Sequence, residues 1–561
     1  MIQGRTLFLI LARGGSKRLP GKNLLCVGGV PIVGRAVRVG HQAARRLGGP
    51  ARVVVSTDDE EIARVARRWL AEVPFLRPPE LATDAATSVD AVLHAVDWYA
   101  GRGETFSEIV LLQPTSPLRT SGDVVNAVSA FRDVEGASVV TVRGGHGAHS
   151  APYTIASDSP SELNGAVYVA SPEWLRTHQT FCIAGRTLAV AMPPERSIDV
   201  DTAADLAAAE ALYEQSLLWP PGRCFVIAEA GVNHNGDLAT ALRMIDAAKG
   251  AGADAVKFQS FSAARLVTRS AAKAAYQQTT TPADESQFDM LRKLELPPEA
   301  QRTLKARCDE TGIIFLASPF SEADVDLLDA LDVAAIKLGS GEITNHPLLA
   351  HVAATFRPVI LSTGASTLEE VAAAVEALRE TGCADLALLH CLSNYPADPA
   401  ECNLRAMETL RRAFDAPMGF SDHTMGIETA CAAVALGARI VEKHFTLDRS
   451  LPGPDQRASL EPSELAAFVA AIRRVESALG DGVKRPMPGE ADVRHAARRS
   501  LVAATDLPEG TVLRRKHLLS RRPGNGIPPS ELKRVLGMRL CRALEADEPL
   551  TWTHLRHGGG E

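Results

Sequence analysis

Short apolar runs alternate with amphipathic stretches along most of the chain, and the first such runs fall at 6–11, 52–56, 108–113, 137–142, 165–170 and 187–192. Strands joined by helices in that rhythm predict a mostly parallel sheet covered on both faces. A helix from Thr202 to about Leu218 then meets WPPG at 219–222, a natural break. A second series begins at Cys224, with strand candidates at 225–229, 255–259, 313–318, 334–338, 359–363, 386–391, 417–420 and 439–443. Eight strands with intervening helices in about 260 residues is the count and size of a (β/α)8 barrel. A polar stretch at 480–499 leads into a tail of about 60 residues, rich in Pro, Gly and turn signals, that is too small to be secure alone. The chain thus divides into domains at 1–218, 223–480 and 498–558, with no internal repeat or low-complexity tract.

The densest chemistry lies in GFSDHTMGIETACAAVALGARIVEKHFTLDRSLPGPDQRASLEP, residues 419–462. His423 and His444 each sit just past a predicted strand, and in parallel strands joined by a helix those ends lie side by side. Two imidazoles there could hold a divalent metal, with Asp455 on the next loop. The alternative is two capping or core histidines; the paired placement, with Glu442 and Asp455 nearby, favours the metal. Other strands end in polar residues too: Glu229, Asn233 and His234 after the first, Lys257 and Gln259 on the second, Lys337 on the fourth. An unpaired ammonium is costly in a core. Two lysines at one mouth suggest a doubly anionic ligand such as a phosphorylated carboxylate, against the alternative of two unrelated snorkelling side chains. Glu342 follows two glycines and can transfer a proton or bind a hydroxyl. His234 and His390 read as structural.

In the first domain LFLILARGGSKRLPGKNL sets a glycine-rich basic loop directly after the first strand. Exposed backbone N–H groups with Arg13, Lys17 and Lys22 suit a polyphosphate, although the spacing is not that of a Walker loop. In RSIDVDTAADL, Asp199 and Asp201 project to one face of an extended segment, where both can ligate one Mg²⁺. Helix capping is the competing reading for Asp201.

Composition narrows the field. Apolar residues at 46%, charged residues at 23% and a net charge of −7 describe an ordinary soluble protein, and the scattered basic residues do not suit nucleic acid. The nine cysteines form no C-x-x-C pair and read as reduced core thiols in a cytoplasmic protein. No signal cleavage site follows the first strand, and no apolar run approaches the roughly 20 residues that span a membrane.

ARGGSKRLPGKN, FLRPPELATD, LLQPTSPLR, LNGAVYVA and IDVDTAADL together resemble the acylneuraminate (sialic acid) cytidylyltransferases. The resemblance implies that Arg13, Ser16, Lys22 and Asn23 bind the CTP phosphates and ribose, Arg77 and Ser88 the cytidine, and Gln113 the sugar acid. It implies Mg²⁺ on Asp199 and Asp201 while the anomeric hydroxyl attacks the α-phosphate, with Lys22 and Arg13 catalytic. Phe181 is followed by Cys182 where the family often has two aromatics, which bears on the identity of the sugar.

IAEAGVNHNGD, AVKFQSF, ESQFDMLRKLEL, IKLGSGEITN, ILSTGAS, GFSDHT, EKHFTLD and GPD resemble the sialic acid synthases, which condense phosphoenolpyruvate with an N-acylated mannosamine-type sugar. This implies that Lys257, Gln259, Lys337, Ser340, Ser362 and Ser421 bind phosphoenolpyruvate and that Glu229, Tyr395 and Asp455 bind the sugar. It places Glu342 in proton transfer and Mn²⁺ or Mg²⁺ on His423 and His444. Gln456 stands where a histidine often follows GPD.

The tail, RRSLVAATDLPEGTVLRRKHLLSRRPGNG, resembles the antifreeze-like (SAF) module that ends these synthases. Its Arg522 would reach a partner subunit's active site, which implies a homodimer. The expected fold is therefore a Rossmann-like nucleotidyltransferase sheet, a TIM barrel and a small β-rich SAF domain. The expected function is synthesis of N-acetylneuraminate and its activation to CMP-sialic acid. The alternative is the same pair of reactions on the legionaminate pathway, from a 2,4-diacetamido-trideoxy sugar. One half could instead be a dead scaffold, against which the intact Asp199/Asp201 and His423/His444 pairs argue. The order of reactions runs against chain order, which matters little for two diffusing domains.

Overall fold

Leu7 and Leu9 face one side of the first strand and Phe8 and Ile10 the other, and all four are fully buried. Such a strand belongs inside a sheet covered on both faces. The computed structural model, which describes residues 5–83, 85–134, 136–144, 151–156, 163–274, 277–278, 281–282 and 284–556, places it there. Asp84, the last residue of FLRPPELATD, lies outside the described residues. Strands β1 (Thr6–Leu11), β2 (Ala51–Ser56), β3 (Glu108–Leu112), β4 (Ser138–Arg143), β5 (Tyr153–Thr154), β6 (Leu163–Ala170) and β7 (Thr187–Met192) run in the order β2-β1-β3-β6-β4-β7-β5. The sheet is mostly parallel, as expected, but β6 runs antiparallel to both β3 and β4, and β5 to β7. Helices α1 (Ile32–Leu47), α2 (Ser88–Ala100), α3 (Ser121–Arg132) and α4 (Pro172–His178) cover it. The α1 and α3 side chains pack on Phe8 and Ile10, those of α2 and α4 on Leu7 and Leu9.

All eight barrel strands form: β8 (Phe225–Gly231), β9 (Ala255–Ser260), β10 (Ile314–Pro319), β11 (Ile336–Leu338), β12 (Val359–Ser362), β13 (Leu386–Cys391), β14 (Met418–Asp422) and β15 (Ile440–His444). They are parallel, in the order β10-β9-β8-β15-β14-β13-β12-β11, a nearly closed barrel. Every second residue points inward. Toward the amino ends these are apolar, with Ile227, Leu316, Ile360, Leu389 and Ile440 in one buried cluster. Two positions further along the same faces come Glu229, Ser318, Ser362, Cys391 and Glu442, so the interior turns polar within one step of the strand period. Gly419 is inward as well, since a Cβ there would lie 2.4 Å from Leu389 Cδ2.

The WPPG stretch is more than a break. Trp219 is 2% exposed and belongs to the apolar cluster at the barrel's amino end, which it seals. The two catalytic regions are also not separate bodies: residues 1–478 form one compact unit and 479–561 a second. Helix α1 carries much of the junction. Arg38 donates to Asp385 (2.8 Å) and to the Phe356 carbonyl (2.9 Å), Arg45 pairs with Asp329 (2.7 Å), and Arg46 pairs with Asp332 (3.2 Å). Tyr213, on α5 (Ala203–Ser216), donates to Asp385. Phe356 is 1% exposed, with its ring 5.6 Å from that of His41 and 6.2 Å from that of Trp69. Gly382, at φ +104°, allows this approach, because a Cβ there would meet the Phe356 ring at 2.8 Å.

The second unit has its own small core, with Leu501, Leu513, Leu518, Val535 and Leu540 buried together. Its strands β16 (Ser500–Ala503), β17 (Leu518–Arg521), β18 (Arg539–Leu540) and β19 (Leu555–Arg556) form two antiparallel pairs, β16 with β17 and β18 with β19.

Candidate functional site

At the level where the barrel interior turns polar, four buried charged side chains meet. Lys257 Nζ lies 2.7 Å from Glu229 and 3.7 Å from Glu442, and Lys337 Nζ lies 3.7 Å from Glu442. Lys337 also donates to Ser362 Oγ (2.7 Å), and Ser421 donates to Glu442 (2.8 Å). Each lysine has a carboxylate partner even without a ligand, because charges in so dry a place survive only in compensated groups. Burial raises the Glu229 carboxyl. Burial also works to raise Glu442, but Lys257 and Lys337 outweigh it and hold that group low. Glu442 Oε2 has no hydrogen-bond partner, its nearest cation being Lys257 Nζ at 3.7 Å, so the cluster retains capacity to receive one.

Directly above stand His423 and His444, ring centroids 5.3 Å apart, with the Tyr395 ring 4.1 Å from that of His423. His423 Nδ1 donates to the Leu392 carbonyl (2.7 Å), so in the neutral ring Nε2 carries the lone pair. His444 Nδ1 and Asp455 Oδ1 are buried without a partner. Burial, then the positive charges of His423 and Lys257, push His444 well below the usual imidazole value, and burial raises Asp455 to about 6. Among the described residues no three His, Cys, Asp or Glu side chains stand close enough to hold an ion alone. Two imidazole nitrogens nevertheless fit a divalent ion whose other positions go to water and substrate.

Around this centre Ser340 Oγ accepts from Gly364 N (2.9 Å), and Glu342 accepts from Asn345 Nδ2 (2.8 Å) on the half-buried turn after β11. Gln259 lies on β9, two positions beyond Lys257 on the same face. Gln456 is fully buried; it donates to the Asn233 carbonyl (2.9 Å) and accepts from Thr446, so it ties two loops together. His234 accepts from Gly236 N (3.0 Å), and His390 donates to the Cys402 carbonyl (2.7 Å), both structural positions.

The second centre is a cavity of about 300 Å³ at the carboxyl edge of the N-terminal sheet. Its lining brings together Arg13, Ser16, Lys22, Asn23, Arg77, Ser88 and Gln113, from four separate stretches of sequence. Lys22 donates to Asp201 (2.9 Å), as does Arg18 (2.8 Å), and Asn23 Nδ2 donates to the Arg13 carbonyl (2.9 Å). Arg77 is anchored on Ser56 Oγ (3.1 Å), and burial lowers its guanidinium to about 10. Thr202, not Asp201, caps α5, so the capping alternative for Asp201 falls away. Asp199 is hydrogen-bonded by Thr115, a cavity residue, and feels the Asp201 charge. Phe181 and Cys182 are buried in the apolar layer under α2 and α4.

The profile of the NeuB family matches residues 244–484, a cytidylyltransferase profile matches 7–152, and a SAF-domain profile matches 498–556. The N,N'-diacetyllegionaminic acid synthase of Legionella pneumophila is 45% identical over 336 residues, 59% of this chain and 94% of that protein. The enzyme of the same name from Campylobacter jejuni is 44% identical, over 58% of this chain and 98% of its own length. Human N-acetylneuraminate-9-phosphate synthase is 37% identical, over 59% and 93%. This chain belongs to the NeuB family. It is a fusion in which a cytidylyltransferase domain precedes the NeuB-type synthase and its SAF domain, and its two activities are the making of a sugar acid and its activation with CMP.

Two features of this NeuB barrel escaped the sequence reading. Cys391 points inward at the end of β13, with Sγ 3.8 Å from His423 Nδ1, and Ser318 accepts from Lys257 (3.3 Å). Both share the parity of inward neighbours, Cys391 with Leu389 and Ser318 with Leu316, which is the signal that could have found them. Arg522 is exposed just past β17 in the second unit. Among the described residues no helix is long and apolar enough to cross a membrane.

Proposed function

We propose that residues 223–480 condense phosphoenolpyruvate with an N-acylated amino sugar, and that residues 1–218 transfer CMP from CTP to the resulting nine-carbon acid. Residues 498–558 supply Arg522 to a second subunit. The observation that carries the synthase reading is the Lys257–Glu229–Glu442–Lys337 cluster directly under the two histidines. Lys257 and Lys337, with Ser362, Ser340, Ser421 and Gln259, receive the phosphate and carboxylate of phosphoenolpyruvate. Glu229, Tyr395 and Asp455 orient the sugar so that its aldehyde carbon faces carbon 3 of phosphoenolpyruvate. Carbon 3 attacks that aldehyde, water adds at carbon 2, and phosphate leaves by C–O cleavage with a proton moved by Glu342. A divalent ion, Mn²⁺ or Mg²⁺ on His423 and His444, supplies Lewis-acid polarisation of the aldehyde oxygen when bound.

In the transferase, Arg13 and Lys22 neutralise the CTP phosphates, Ser16 and Asn23 hold the phosphate–ribose segment, and Arg77 and Ser88 hold the base. Gln113 orients the sugar acid for attack of its anomeric hydroxyl on the α-phosphate, with loss of pyrophosphate. Asp199 and Asp201 would hold Mg²⁺ at that phosphate.

The higher identity to the legionaminic acid synthases favours a 2,4-diacetamido-trideoxy acceptor. The transferase motifs, which resemble those of acylneuraminate enzymes, keep N-acetylmannosamine as the second reading. The test offers each sugar separately with phosphoenolpyruvate, CTP, Mg²⁺ and Mn²⁺, and looks for the CMP-sugar by mass spectrometry. Product only from the diacetamido sugar supports the first assignment; product from N-acetylmannosamine replaces it with the second.

A further inference from the structure

The synthase mouth and the transferase domain lie at opposite ends of the barrel. His423 and His444 stand at the carboxyl ends of β14 and β15. The junction described above uses the amino ends: Phe356 just before β12, Asp385 just before β13, and Asp332 ahead of β11. Strands of five or six residues separate the two levels, roughly 16–20 Å along the strand at about 3.3 Å per residue.

Among the described residues the interior offers no way through. Below the lysine–glutamate cluster, Ile227, Leu316, Ile360, Leu389 and Ile440 fill the barrel, all fully buried, and Trp219 closes its floor. A carboxylated polyol would have to shed its water there with no polar partner to replace it. The nucleotide cavity, for its part, opens at the carboxyl edge of its own sheet, and its lining residues all come from the N-terminal domain.

We infer that the sugar acid made in the barrel is released to bulk solution and that the transferase takes it up from there. The fusion joins the two activities structurally, the N-terminal domain covering the barrel's floor with α1 and Trp219 plugging it, and does not hand over the intermediate. This rests on the proposed pair of reactions, and each is verified first: phosphate release from phosphoenolpyruvate in the absence of CTP, then pyrophosphate release from CTP with supplied sugar acid. A wrong acceptor sugar shows itself at that stage and is exchanged for the other before going on.

The full chain is then given ¹³C-labelled phosphoenolpyruvate, the acceptor sugar, CTP and Mg²⁺, with unlabelled sugar acid added. A roughly tenfold excess of unlabelled acid over the labelled pool should dilute the label in the CMP-sugar roughly tenfold, in step with the free pool, as mass action requires. Without added acid, the CMP-sugar should appear after a lag while the free acid accumulates. CMP-sugar richer in label than the free acid at the same moment, or its appearance without a lag, would overturn the inference, whichever subunit did the delivering.

Discussion

The two catalytic centres solve the same problem, holding anionic substrates, with opposite electrostatics. In the barrel the lysines are 2–4% exposed and already balanced by Glu229 and Glu442. At the nucleotide cavity Lys22 is more open, and it shares one half-open carboxylate, Asp201, with the exposed Arg18. A dry site must be nearly neutral before its ligand arrives, or the fold could not bear the desolvation. A wet site can keep surplus charge in reserve, because water and salt screen it. Mutations should therefore damage the fold in the first case and the chemistry in the second.

The largest effect belongs to Glu442→Gln. It leaves Lys337 without its carboxylate and Lys257 with only Glu229, and removing one partner from a buried charge group costs about 3–5 kcal/mol. Urea unfolding should show that loss together with an end to phosphate release from phosphoenolpyruvate. A variant of unchanged stability would mean that the cluster is wetter than its burial indicates, and the contrast between the two centres would fail.

Next comes the pH response of His234, which is 1% exposed and which burial lowers to about 4. Its unfolded value is near 6.5, so between the two values the unfolded chain binds a proton that the folded chain does not. Stability should fall as pH drops from about 6.5 to about 4, by up to about 3 kcal/mol for this group, and be untouched above that window. His234→Asn should flatten the slope of the unfolding midpoint against pH. An unchanged slope assigns the acid sensitivity elsewhere.

Asp201→Asn tests the open centre. Its partners are Lys22 and the exposed Arg18, so stability should change by less than about 1 kcal/mol, as for other surface ion pairs. Pyrophosphate release should nevertheless slow about 100-fold, a transition-state loss near 2.7 kcal/mol, because charge at the α-phosphate goes unmatched. Phosphate release by the barrel should not change. Equal loss of both activities would show that the two centres are coupled.

Much of this was legible from residue pattern. The strand period put Glu442 and His444, and likewise Ser421 and His423, on the same inward faces, and the strand–helix–strand reading of 417–443 put both histidines at one mouth. What it could not show was which charges meet across the barrel. Period fixes the face of a side chain, while the Lys257–Glu229 and Lys337–Glu442 distances depend on how the sheet closes. The junction was hidden for a different reason. Arg38, Arg45 and Arg46 look like the solvated stripe of an amphipathic helix, and WPPG has the composition of a turn. Only the partner surface, with Asp329, Asp332, Asp385 and Phe356 more than 280 positions away, turns them into an interface.

That interface yields the smallest and most discriminating change, Tyr213→Phe. The hydroxyl donates to Asp385, a carboxylate that also takes Arg38 at 2.8 Å, while the ring stacks under Arg35, whose guanidinium carbon lies 4.2 Å from its centroid. Phenylalanine keeps the ring contact and removes one hydrogen bond to a charged group, a loss of about 1.5 kcal/mol. Asp385 keeps Arg38, so no charge is stranded. Since the residue touches neither centre, the unfolding midpoint should fall slightly, while the KM values for phosphoenolpyruvate and CTP stay where they are. If either KM moved, the junction would be transmitting strain into a site, and the barrel floor would have to be read as a control surface as well as a support.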